Sequence, residues 1–214
     1  MSSTLPVLMS CATRPQDPAS MALAGVLSAA FDRHGRAWLP LPGLGAAATR
    51  RAMASWFPGA DIALGLDWVA LEAAERAERA EPRSDEIEDL VSLLKDHANP
   101  AAGPAQDADV VAWALACASL GDNHLWQDLQ LPSRAELSQL MAHWFASLAE
   151  LNTQHMKWKK FLYKQLCARE EIFICKAPSC QVCTDHPVCF GPETAASTMP
   201  IHLPEHPPWT SLAP

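Results

Sequence analysis

Apolar residues recur at helical spacing along most of this chain. The clearest example follows Ser133, which forms a capping box with Glu136 and precedes apolar residues three and four positions apart. The same spacing follows Asp17, with a stop at Gly35, and follows Ser84, which is expected to cap a helix. No convincing stretch alternates apolar and polar residues, so the pattern predicts an all-α fold.

The patterns divide the chain into four parts. Residues 1–16, rich in Ser, Thr and Pro, are expected to form a flexible arm. Residues 17–170 carry the helical patterns and are predicted to form a helical domain, in which the apolar run 110–120 is typical of a central buried helix. Residues 171–193 form a cysteine-rich segment with metal-binding potential, and residues 194–214 form a Pro-rich tail with little periodicity.

Charge and hydropathy exclude two classes of partner. The 214 residues carry a formal charge of −8, which argues against a general nucleic-acid binder. No apolar run approaches the ~18 residues that a membrane-spanning helix needs. The apolar stretch Leu5–Met9 is too short for a signal peptide. We therefore expect a cytoplasmic protein, and disulfides are rare in that compartment.

Four of the seven cysteines fall close together in the pattern C-x4-C-x2-C-x5-C. They are Cys175, Cys180, Cys183 and Cys189. Thiolates are soft ligands that select iron–sulfur clusters, zinc or copper(I), and Pro and small residues between them favour turns around one centre. The motif therefore predicts a metal centre in residues 171–193.

Three occupants of this loop compete on spacing alone. An iron–sulfur cluster uses closely spaced thiolates and is favoured. A structural zinc site with four Cys is the alternative, although such sites usually contain two close Cys pairs and this loop has one C-x2-C pair. A disulfide or a set of redox thiols is disfavoured by the expected compartment.

Three further residues are possible additional ligands. Cys167 precedes the loop near the expected end of a helix, where a thiol packed in the core is the other interpretation. Asp185 and His186 stand between two of the thiols and are suited to a harder metal beside iron, or simply to a polar turn.

A lysine-rich segment leads into the cysteine loop. Lys157, Lys160 and Lys164 share one face of a predicted helix, in an otherwise acidic chain. Such a face can attract an oxyanion or dock an acidic partner. An ordinary solvated helix face is the alternative.

At these residues the chain resembles the NifQ family of nitrogen-fixation proteins. The resemblance is carried by the segment 156–167 and by the four-Cys loop, which closes on Cys189-Phe190-Gly191-Pro192-Glu193. Weaker matches include the run 124–129 with Arg134, a central motif of the family. Glu171 departs from the family pattern, where a glycine is expected.

The resemblance implies a role in building the iron–molybdenum cofactor of nitrogenase. It implies that the four cysteines bind a molybdenum–iron–sulfur cluster, and that the protein donates molybdenum to the cofactor-assembly machinery. The implied partners are the cofactor-assembly scaffold, the nitrogenase iron protein, and molybdate or a molybdenum storage source. The sequence shows no nucleophile–base arrangement, so we expect a carrier rather than an enzyme. A zinc-stabilised protein-interaction module is the alternative function.

Overall fold

The computed structural model describes residues 4–77, 83–170 and 186–193, and every regular element in these ranges is a helix. The all-α prediction is therefore confirmed for the described part of the chain. No helix within these ranges is long and apolar enough to cross a bilayer. In chain order the helices are α1 Thr4–Ser10, α2 Pro18–His34, α3 Ala46–Trp56, α4 Ala60–Leu64, α5 Trp68–Ala77, α6 Ser84–Asp96, α7 Ala105–Ser119, α8 Leu125–Asp128, α9 Arg134–Trp144, α10 Ala146–Leu151, α11 Trp158–Arg169 and α12 His186–Phe190.

Residues 4–10 form a packed helix, which corrects the prediction of a flexible arm for this part of residues 1–16. Leu8 of α1 is fully buried, and α1 packs against α2. The Thr4 hydroxyl donates a 2.6 Å hydrogen bond to the carboxylate of Asp32 in α2. The prediction gave weight to the Ser, Thr and Pro content, whereas burial of the apolar side chains of α1 determines the structure.

Helix α2 begins and ends where the sequence predicts. The Asp17 side chain accepts a 2.9 Å hydrogen bond from the amide of Ala19, and Pro18 occupies the first helical position, where its missing N–H costs nothing. Gly35 ends the helix at φ +85°, a conformation that favours glycine.

Helix α7 lies at the centre of the core, as its apolar sequence predicts. It packs against α2, α3, α6 and α8, and Val111, Ala112 and Ala116 are almost fully buried. Helix α6 begins at Ser84, so the prediction that Ser84 caps this helix is wrong by one residue. Arg83 occupies the capping position, and its side chain makes no capping hydrogen bond.

Helix α9 is capped as predicted but is shorter than its apolar stripe. The Ser133 side chain accepts a 3.0 Å hydrogen bond from the amide of Ala135, and its hydroxyl donates to Glu136. At Phe145 the backbone leaves the helical region (φ −136°, ψ 52°), and α10 follows. Phe145 is itself fully buried, so both helices contribute to one core.

A close backbone contact joins α2 to the chain that follows α8. A Cβ on Gly25 would lie 2.2 Å from the carbonyl oxygen of Leu129, so a side chain does not fit there. The Gly25 carbonyl also accepts a 2.9 Å hydrogen bond from the Gln130 side chain. This contact holds the chain that follows α8 against α2.

Candidate metal-binding site

The structure describes part of the predicted site. Cys189 and His186 lie in α12, and Cys167 lies in α11. The other predicted loop residues lie outside the described ranges: Cys175, Cys180, Cys183 and Asp185. Within those ranges no three His, Cys, Asp or Glu side chains are grouped to hold a metal ion. The ligand set therefore stays a prediction, and the structure defines the surroundings of Cys189.

Helix α12 is attached to the start of α11 through the backbone of Cys189. The carbonyl of Cys189 accepts a 2.8 Å hydrogen bond from the amide of Lys157. Cys189 and Phe190 are half-buried and pack against the core. His186 is exposed, and its ring stacks on Phe190 with centroids 4.4 Å apart. The last predicted thiol thus belongs to a short helix that contacts the helical domain.

Arg134, the first residue of α9, binds the chain on both sides of this attachment. Its guanidinium forms a 3.1 Å ion pair with Glu193, whose side chain is only 5% exposed. It also donates hydrogen bonds of 2.7 and 2.9 Å to the carbonyls of His155 and Met156. Arg134 therefore holds the turn before α11 and the chain after α12 at one point.

Lys159 connects α11 to the loop and helix that contain the central motif. Its ammonium group is nearly buried and donates to the Gly121 carbonyl (2.6 Å) and to the Asp128 carboxylate. Burial lowers the pKa of Lys159, while the hydrogen bond and charge of Asp128 oppose that shift. Sequence reasoning missed Lys159, because its burial depends on contacts with Gly121 and Asp128, which lie far away in the sequence.

The three predicted surface lysines occupy different positions. Lys157 immediately precedes α11, Lys160 is half-buried, and Lys164 is exposed. Lys160 and Lys164 are four residues apart in one helix and therefore share a face. None of the three forms an ion pair with any residue that the structure describes.

His124 lies beside this site and precedes α8. Its Nε2 atom is shielded from solvent and makes no hydrogen bond to any described residue. Burial is the main cause that lowers the pKa of His124; the carboxylate of Glu193 opposes this shift, and the charge of Lys157 adds to it. The resemblance of the run 124–129 to a family motif was the signal for this residue in the sequence.

Cys167 lies at the other end of α11 from Cys189. Lys157, which binds Cys189, precedes the helix, and Cys167 is about 15 Å further along it by the helical rise. Cys167 is half-buried. Its assignment as an additional ligand stays a prediction.

A family model and several known proteins that match this chain all carry the same name, NifQ. A family model described as NifQ matches residues 22–191. Protein NifQ from Azotobacter vinelandii is 43% identical over 129 residues, which are 60% of this chain and 65% of that protein. Protein NifQ from Rhodobacter capsulatus is 39% identical over 114 residues, or 53% and 60% of the two chains. Protein NifQ from Klebsiella pneumoniae is 48% identical over 86 residues, or 40% and 52%.

The matched stretch spans less than two thirds of the length of each of these relatives. No solved structure matches the chain. The family model, however, covers well over half of the chain and extends from α2 to α12, so that it includes His124, Arg134, the lysine-rich helix and Cys189. The chain therefore belongs to the NifQ family of nitrogen-fixation proteins.

Proposed function

We propose that this protein carries a molybdenum–iron–sulfur cluster and donates its molybdenum for assembly of the iron–molybdenum cofactor of nitrogenase. The observation that carries the proposal is the four-thiol motif of a chain that belongs to the NifQ family. The last cysteine of this motif, Cys189, is attached to the start of a lysine-rich helix. Cys175, Cys180, Cys183 and Cys189 would supply the thiolates. The cluster is the cargo of this carrier rather than the centre of a catalysed reaction.

The donor chemistry fits such a cargo. Four thiolates are the usual ligands of iron–sulfur clusters, whereas molybdenum in an oxygen-rich form also accepts harder donors. Cys189 is half-buried, in a segment held to the domain by Lys157 and Arg134. A cluster at this position would be supported on one side and open to a partner on the other.

The positive charge beside Cys189 suits delivery and docking. Lys160 and Lys164 are without ion pairs among the described residues, so their charges remain available to a negatively charged cluster, to molybdate or to an acidic partner. The partners we propose are the cofactor-assembly scaffold, the nitrogenase iron protein, and molybdate or a molybdenum store, all in the cytoplasm. Neither nucleic acid nor a membrane has a part in this function.

Metal analysis of the protein purified without air tests the proposal. We expect iron, sulfide and molybdenum, and we expect Cys183→Ala to lose iron. Cys117→Ala is the matched control, because Cys117 lies in α7 among core residues and should keep the metals. The loaded protein should transfer molybdenum to the purified scaffold. Zinc at one per chain, without iron or sulfide, would contradict the proposal and favour a zinc-stabilised interaction module.

A further inference from the structure

Four buried polar side-chain atoms make no hydrogen bond within the described part of the chain: Ser20 Oγ, His124 Nε2, Trp126 Nε1 and Trp144 Nε1. Leaving a buried polar atom unpaired is unfavourable, so each one requires an explanation. Of these four atoms, the imidazole nitrogen alone is an effective metal ligand, since an indole N–H can only donate a hydrogen bond and a neutral hydroxyl binds soft metals weakly.

The position of His124 relates this nitrogen to the proposed cluster site. His124 immediately precedes α8, and Asp128 of α8 accepts a hydrogen bond from Lys159, which lies two residues after Lys157 in the first turn of α11. Lys157 binds the Cys189 carbonyl through its amide, and Glu193 follows Cys189 in the same short segment. The ring therefore lies at the edge of the domain where the last thiol is attached.

The chemistry of the ring also suits a metal. A neutral imidazole has one nitrogen with a free lone pair, and that nitrogen can bind a metal. The charged groups near the ring are Lys157, Lys159, Arg134 and Glu193. His186, by contrast, is exposed, and its ring stacks on Phe190.

We infer that His124 supplies Nε2 as a nitrogen ligand to the metal held at Cys189, an inference that rests on the proposed function. The loop before α8 and helix α12 would then contribute to one metal site. This assignment adds a ligand from the loop before α8, far from the cysteines in sequence.

X-ray absorption at the iron and molybdenum edges tests the inference. The protein is loaded without air with iron, sulfide and molybdate, and its metal content is measured first. We expect the outer-shell scattering of an imidazole, from about one histidine per cluster. His124→Gln should remove this signal and weaken metal retention at least about tenfold. His124→Cys should also remove it but should retain more metal than the Gln variant, because a thiolate replaces the nitrogen.

Two matched histidine variants complete the design. His143→Gln changes an exposed histidine about 14 Å along α9 from Arg134, and His186→Gln changes the histidine nearest to Cys189 in sequence. Both should keep the imidazole signal.

A loaded wild-type protein without an imidazole signal would overturn the inference and leave the proposed function intact; buried water would then be the partner of Nε2. Loss of the signal in His186→Gln, or its survival in either His124 variant, would also overturn it. If the wild-type protein takes up neither iron nor molybdenum, the metal analysis shows that the proposed function has failed, and the inference fails with it. If His124→Gln does not fold, His124→Cys is the variant that assigns the signal to this residue, and the wild-type spectrum still tests whether an imidazole binds the metals at all.

Discussion

The amide of Lys157 donates a 2.8 Å hydrogen bond to the carbonyl of Cys189. This bond joins the residue before the lysine-rich helix to the last thiol of the proposed cluster loop. Both atoms belong to the backbone, so the attachment does not use the Lys157 ammonium group or the Cys189 thiol. The start of the lysine-rich helix and the last cysteine of the loop, which lie more than thirty residues apart in the sequence, are therefore joined through their backbones.

Replacing Arg134 by Ala is expected to loosen this attachment. The change removes the ion pair with Glu193 and the hydrogen bonds to the carbonyls of His155 and Met156. Because Glu193 is nearly buried, its unpaired carboxylate should cost about 1–3 kcal/mol. Hydrogen exchange measures the effect, and the Lys157 amide should exchange faster.

Glu193→Gln is the control for the Arg134 variant. It removes the ion pair but keeps the bonds from Arg134 to the two carbonyls before α11. The Lys157 amide should then be protected almost as well as in the wild-type protein. Unchanged Lys157 exchange in Arg134→Ala would contradict the role of Arg134 in holding the chain at this point.

Lys159→Met should destabilise the protein by about 3–5 kcal/mol, because it leaves the Asp128 carboxylate without its buried cation. Urea unfolding followed by tryptophan fluorescence measures this loss. The double variant Lys159→Met/Asp128→Asn should recover part of the lost stability, since no unpaired charge is then buried.

Lys95→Met is the matched control for Lys159. Lys95 pairs with Asp109 at 3.1 Å, but their side chains are 49% and 40% exposed. Its loss should change stability by less than about 1 kcal/mol. Equal effects of the two lysine variants would show that the Lys159–Asp128 pair contributes no more than a surface ion pair.

The sequence predicted features that depend on local chemistry. The Asp17 and Ser133 caps, the stop at Gly35 and the buried helix α7 each follow from residues a few positions apart, and all are confirmed. The burial of Lys159 and the bonds made by Arg134 depend on contacts between distant segments. Periodicity shows which face of a helix is buried, but not which polar group another helix will place against it.

The N-terminal helix shows the same limit. α1 is short, and short helices are marginal in isolation. Its stability comes from packing against α2, which composition does not reveal. The positions of three of the four thiols stay sequence predictions, since these residues lie outside the described ranges.

Gly25→Ala should destabilise the protein although alanine favours helices. The added Cβ would lie 2.2 Å from the Leu129 carbonyl oxygen, so α2 and the chain after α8 must separate. We expect a net loss of about 1–3 kcal/mol in urea unfolding, against an intrinsic helical gain of about 1 kcal/mol.

Gly103→Ala is the comparison variant for Gly25→Ala, and it should produce a milder steric clash. Its Cβ would meet the edge of the Trp144 ring at 3.0 Å rather than a backbone carbonyl. A smaller loss of stability is expected there. A Gly25→Ala protein as stable as the wild-type protein would show that the two segments separate at no cost.

Removing the charges of Lys160 and Lys164 should slow molybdenum transfer while leaving the fold and the iron content unchanged. In the described part of the chain neither lysine forms an ion pair, so their loss breaks no such contact there. Their attraction for an anionic cargo or an acidic partner acts through solvent and is screened by salt. The variant Lys160→Ala/Lys164→Ala should transfer about tenfold more slowly at low ionic strength.

The salt dependence separates this explanation from a local disturbance of the cluster. At high ionic strength the double variant and the wild-type protein should transfer at nearly equal rates, because screening removes the advantage of the lysines. Lys95→Ala removes one positive charge from α6 and should leave transfer unchanged at both salt concentrations. Equal transfer by the double variant and the wild-type protein at low salt would identify the two lysines as an ordinary solvated helix face. A deficit that persists at high salt would instead indicate a direct contact with the cargo or the partner.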